Sequence, residues 1–177
     1  MRKNVHLMML ALMAVVAAVM TACTVEDNAN PNPVTSNDPL QVVPVSAAEF
    51  QAKVIGGWSE TERRRIKDEG TLGEIYDWTW VIGLGPDRFD IQSDSIYDFT
   101  YVDTPIDGYL SYVYTYDSSS NTISIPDRST KEILSVSADQ MATRENNFRV
   151  VYKRMTKEKL EWYWENYGVN LRDVWFR

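Results

Sequence analysis

Few side chains in this 177-residue chain are able to do chemistry, and their positions narrow what that chemistry is. The one histidine, His6, and the one cysteine, Cys23, both lie near the start. Beyond Cys23 there is no imidazole, so a Ser–His or Cys–His nucleophile and a histidine zinc site are excluded from the body of the chain. No Gly-x-Ser-x-Gly elbow occurs. Gly83-Leu84-Gly85 runs into Pro86 instead of opening a helix, which makes it a turn and not a phosphate cradle. Asp94, Asp98, Asp103 and Asp107 crowd one stretch but lack the order of a calcium loop, and they read as solvated strand ends. Carboxylate pairs are the remaining acid–base machinery. The expectation is a protein without catalysis, metal or cofactor.

Aromatic side chains offer more. All six Trp, ten Tyr and five Phe follow position 22. Trp78, Trp80, Tyr97, Phe99, Tyr101, Tyr112 and Tyr114 occupy alternate positions expected to face one way. Turned into a barrel lumen, they would fill it as core or line a cavity for a small apolar or amphipathic ligand. Turned outward, rings with polar tips would stack on sugars.

The elements that must carry these rings are strands. Period-two alternation of Tyr, Trp, Val, Ile and Thr runs through 74–82, 97–102, 110–116, 123–125 and 148–153. Turn chemistry separates them at 83–87, 104–108, 117–121 and 137–139. Short strands with close connections predict antiparallel hairpins, closed into an up-and-down barrel, with an open sandwich as the second choice. The charged stretch Ser59 to Glu69 resists the pattern: an edge strand, a charged lip or a short helical excursion all suit it. Ser46 and Glu49 have capping-box spacing and predict a short helix over 46–53. Thr156 can cap a second helix whose Leu160, Tyr163, Trp164 and Tyr167 form one stripe, with Gly168 as a left-handed stop. Leu171, Val174 and Trp175 share one side of a last short piece. These helices are expected to pack on the barrel's outside.

Residues 1–22 have the form of a signal peptide: Arg2-Lys3, then fourteen apolar residues from Leu7 to Met20. That run is short of the ~20 residues a spanning helix needs. The sequence Met20-Thr21-Ala22-Cys23 resembles the lipobox of bacterial lipoproteins, with Met20 where Leu is usual. The resemblance implies cleavage before Cys23 and acylation of that residue, an anchor made stable by its several chains. Loss of Arg2 and Lys3 would take the formal net charge from −7 to −9, unsuited to nucleic acid or an anionic membrane surface. Residues 23–45, with their prolines and asparagines, read as a lipidated tether, and Glu26-Asp27 resembles acidic export signals of some Gram-negative surface lipoproteins. The folded domain is expected over 46–177.

Gly56-Gly57-Trp58 at the start of the first strand and Arg154 near the end of the last, spaced across about eight antiparallel strands, resemble the lipocalin-like (calycin) barrels. The resemblance covers about 46–155. It implies that Trp58 closes the barrel floor and Arg154 packs over its indole as a cation–π contact. Combined, these readings predict a lipid-anchored, non-catalytic binding protein of the cell envelope. Its expected place is the outer membrane of a Gram-negative bacterium, on the periplasmic or surface face. Two alternatives stand beside it: a filled barrel that docks another envelope protein through its acidic surface or C-terminal helix, and a surface carbohydrate-binding module.

Overall fold

The computed structural model describes residues 38–76, 86–99, 108–128 and 130–175. Cys23, Trp78, Trp80, Tyr101, Asp103 and Asp107 lie outside them. The described residues form ten antiparallel strands: β1 (Gly56–Ile66), β2 (Leu72–Ile75), β3 (Arg88–Ile91), β4 (Ser95–Asp98), β5 (Leu110–Val113), β6 (Thr115–Asp117), β7 (Thr122–Ser124), β8 (Lys131–Val136), β9 (Gln140–Glu145) and β10 (Phe148–Arg154). Their order is β5-β4-β3-β1-β10-β9-β8-β7-β6, with β2 paired to β1 alone.

The two outer strands of that order, β5 and β6, are consecutive in the chain and separated by Tyr114 alone. One run therefore hydrogen-bonds to β4 with its first half and to β7 with its second. The sheet curls until its two edges belong to the same bent run, and the result is a nearly closed barrel, not a sandwich. The buried Tyr114 hydroxyl donates to the Gln92 carbonyl at 2.8 Å and pins the bend.

The charged stretch after Trp58 is not an edge strand: Ser59 to Ile66 belong to β1, paired to β10 on one side and to β2 and β3 on the other, and Lys67 to Glu69 lie in the turn that follows. Thr61 is an extra residue between the pairs Glu60↔Tyr152 and Glu62↔Val151. Such a bulge resets the alternation, so Trp58 and Glu60 point inward before it and Arg63, opposite the fully buried Val150, points inward after it. That is why no two-residue period was visible there.

Ser46 and Glu49 form the expected capping box on α1 (Ala47–Glu49), which continues as a π-helical turn over Phe50–Val54. Phe50 and Val54 enter the barrel core with Trp58, Phe89, Ile91, Ile96, Ile123, Ile133, Met141 and Val150. The barrel unit begins at Asp38, ahead of Ser46. Val45 is buried, and Asn121 ties this leading segment down: its Nδ2 donates to the Val43 carbonyl at 2.7 Å and its Oδ1 accepts from the Val45 amide at 2.8 Å.

α2 (Lys157–Asn166) is capped by Thr156, whose hydroxyl accepts from the Lys159 amide. It lies on the outer face of β1, β3 and β4. Gly57 leaves room for Leu160, which would stand 2.8 Å from an added Cβ, and the Trp164 indole donates to Asp90 at 3.1 Å. Gly168 does not take the left-handed conformation expected of it; α2 ends on Tyr167 at φ −118°, and Gly168 is small because a Cβ would sit 2.6 Å from the Trp164 carbonyl. In α3 (Leu171–Trp175) Leu171 is fully buried and Val174 is exposed.

Candidate functional site

The predicted row of rings does not share one face. Tyr97 pairs with Ser111, and Ile96 pairs with Tyr112; paired residues project to the same side. Ile96 belongs to the interior, so Tyr112 does too, and Tyr97 and Phe99 face outward. There they pack beneath α2 with Tyr109, Tyr163, Trp164 and Tyr167, Phe99 stacking on Tyr163 at 5.4 Å between centroids. Tyr97 and Phe99 are thus corrected from lumen to outer layer. The cause is that β4 alternates two buried surfaces, one under the barrel core and one under the helix, and hydrophobicity alone cannot distinguish them. Trp162, 50% exposed, meets Tyr163 at 81° and Tyr167 at 59°, which is not the flat row a sugar platform requires. Tyr114 lies inside against Phe50, at 5.9 Å.

Trp58 and Arg154 are cross-strand partners on β1 and β10. The guanidinium carbon lies 4.2 Å from the centre of the fully buried indole, within cation–π range. The indole Nε1 donates to the Val54 carbonyl at 2.7 Å. Arg154 donates to the carbonyls of Ile55 (2.9 Å), Ala138 (2.6 Å) and Lys53, capping the end of the π-helical turn. Gly56, at φ 127°, has a backbone no L side chain favours, and a Cβ there would stand 2.5 Å from Arg154 Nη1. This end of the barrel is closed by packing.

Toward the opposite end the interior is ionic. Glu60 and Arg63 from β1, Asp87 before β3, Lys131 from β8, Glu145 from β9 and the Tyr152 hydroxyl from β10 converge there. Arg63 grips Glu60 with two bonds of 2.9 Å and reaches Asp87 at 3.1 Å. Lys131 lies 2.7 Å from Glu145 and donates to the Tyr152 hydroxyl at 3.2 Å. Glu145 also accepts from Thr143 at 2.7 Å and from Tyr152 at 2.6 Å. The side chains of Glu60 and Glu145 are 1% and 6% exposed, that of Asp87 28%.

Proton affinities in this cluster diverge. Burial works to raise Glu145, yet Lys131 and the two hydroxyl donors outweigh it and hold the carboxyl below its ordinary range. Burial raises Asp87, and although Lys131 and Arg63 oppose it, Glu145 and Glu60 add to the rise. Tyr152, fully buried between carboxylates, is pushed well above 10. A single phenol proton serves Glu145 at 2.6 Å, which leaves the 3.3 Å approach from Tyr152 to Asp87 as the weaker bond. Arg63 stays charged against its burial because Glu60 and Asp87 flank it. Three carboxylates face two cations, one positive charge or one proton short of balance, and Asp87 is the group positioned to take it. Phe148 and Tyr76 stand beside the cluster: Arg63 lies 5.7 Å from the Phe148 ring, and the two rings meet edge-on at 6.0 Å.

The sequence reading did not select these residues. The available signal was the failed alternation after Trp58, a sign of a bulge placing charges on the core side. Among the described residues no group of three or more His, Cys, Asp or Glu is arranged to hold a metal ion.

No protein-family model matches the chain, and no curated protein matches it. Among solved structures it is similar to a lipocalin-like protein from Bacteroides uniformis, at 13% identity, over 57% of this chain and 97% of that one, with a TM-score of 0.37.

Proposed function

We propose that the protein is a non-catalytic binding module, anchored in the cell envelope through an acylated Cys23, whose barrel holds a small amphipathic molecule by its polar head. The observation that supports this reading is the buried ionic cluster. A salt-bridge network inside a barrel adds little stability over well-packed apolar residues, so its presence favours a role in recognition. Asp87 is its partly exposed member and its unbalanced charge, and it selects a head that donates hydrogen bonds, an ammonium best of all. Phe148 and Tyr76 supply ring surface for the apolar part of the ligand. The outer aromatic layer beneath α2 is support in this scheme and touches no ligand.

The test uses the chain from Cys23 onward. Intrinsic fluorescence is titrated with alkyl chains of one length carrying an ammonium, a neutral hydroxyl or a carboxylate head. Saturable quenching is expected in the order ammonium, hydroxyl, carboxylate, and Asp87→Asn should reduce the ammonium preference about tenfold. Equal response to all three heads, or none to any, refutes the interior site. For the anchor, Cys23→Ser should move the full-length protein from the membrane to the soluble fraction.

A further inference from the structure

A cleft opens where the barrel's bent run turns at Tyr114, lined by none of the residues of the ionic cluster. β5 follows β4 there and leaves the end of β7, so the ladder is interrupted and a space of about 350 Å³ remains. Its walls include Ser95, Ser111, the inward-facing Tyr112, the buried Ile125, Asp127 from the β7–β8 turn and Arg172 from α3. Arg172 lies 5.1 Å from the Tyr112 ring and Arg128 4.2 Å from it. The positive charge of Arg128 is already engaged by Asp98 at 3.5 Å. Arg172 is held at the wall by a side-chain hydrogen bond with Tyr112; among the described residues neither Arg172 nor Asp127 forms an ion pair, with each other or with another residue, although both line this cleft.

The geometry points to this seam cleft as a binding site for a small zwitterion of the amino-acid type, with its carboxylate on Arg172, its ammonium on Asp127 and an apolar side chain against Tyr112 and Ile125. A cleft with one cation and one anion held apart offers a simple anion or a simple cation only half of its polar contacts. A molecule carrying both charges satisfies both walls, because a guanidinium takes a carboxylate in a two-pronged bond and a carboxylate takes an ammonium. The phenol ring of Tyr112 with Ile125 forms an amphipathic wall that prefers an apolar or aromatic side chain. The volume admits one residue-sized molecule and excludes a folded partner. This site does not involve Asp87 or the ionic cluster, and it meets the barrel core only at Tyr112 and Ile125.

Phenylalanine, N-acetylphenylalanine (carboxylate only) and phenylalaninamide (ammonium only) are titrated into the chain from Cys23 onward, and binding is followed by amide chemical shifts. Phenylalanine is expected to give saturable shifts at Ser111–Val113 and Asp127, with each single-charge analogue about tenfold weaker. Arg172→Gln should lower phenylalanine to the level of phenylalaninamide, and Asp127→Asn to that of N-acetylphenylalanine. Both positions are exposed, and an unchanged thermal midpoint verifies folding. Asp87→Asn should leave this binding intact, which separates the site from the interior one. Equal binding of all three probes, shifts insensitive to both substitutions, or no saturation by phenylalanine overturns the assignment.

Discussion

The two ends of the barrel interior solve the same problem by opposite means. Around Trp58 the space is closed by apolar contact, and the charged Arg154 lies over the indole with its donors placed on backbone carbonyls. Two to five residues further along β1, about 7 to 15 Å, the interior holds Glu60, Arg63, Asp87, Lys131, Glu145 and the Tyr152 hydroxyl. The first arrangement gains from burial. The second must be complete to be tolerated, because each member compensates another. Stability resides at the first end; the second adds little over well-packed apolar residues, and the proposed function gives it a use.

Trp58→Ala should have the largest effect, a loss of about 4 kcal/mol, read from the urea midpoint, since it empties the floor and frees the Val54 carbonyl. Next comes Lys131→Met, which strands Glu145 without its ammonium and should cost about 3 kcal/mol. The double variant Lys131→Met with Glu145→Leu should recover most of that loss; a single variant as stable as the parent would mean that the cluster is solvated like a surface and would erase the contrast. Gly56→Ala should cost about 2 kcal/mol, through its backbone at φ 127° and its crowding of Arg154. Relief of that loss by Arg154→Ala would show how much comes from crowding.

The smallest effect is in pH dependence, and it has two opposed parts. Asp87 has a higher pKa folded than unfolded, so the folded protein binds the extra proton. Its contribution is complete below the ordinary carboxylate range and declines as pH rises through the raised value. Glu145, held low, contributes fully above the ordinary range and loses that contribution as pH falls through its lowered value. Asp87→Asn should remove the first slope alone, seen in urea midpoints measured from pH 4 to 7. An unchanged slope would place the excess proton elsewhere.

Much of the barrel was legible in period-two patterning, and α1 and α2 in their caps at Ser46 and Thr156. Three things were not. β5 and β6 read as one strand because the alternation of Tyr112, Tyr114 and Tyr116 continues through the bend; a change of pairing partner leaves no mark on hydrophobicity. Tyr97 and Phe99 were assigned to the lumen because a strand buried on both sides gives no polar face to orient it. The ionic cluster was hidden by the bulge at Thr61, which moved Arg63 to the core side against the parity of the preceding residues. In each case the missing information lay in which strand stands next to which.

The bend at Tyr114 has a mechanical consequence. β1, β10 and β9 are joined by the longest ladders among the described strands, that of β1 with β10 interrupted only by the bulge at Thr61. On the far side, both lips of the seam are one length of chain, and spreading them requires rotation about a single residue while every ladder stays intact. Compliance is therefore concentrated along that line, and the circumference can adjust to its contents there without unfastening either neighbouring strand.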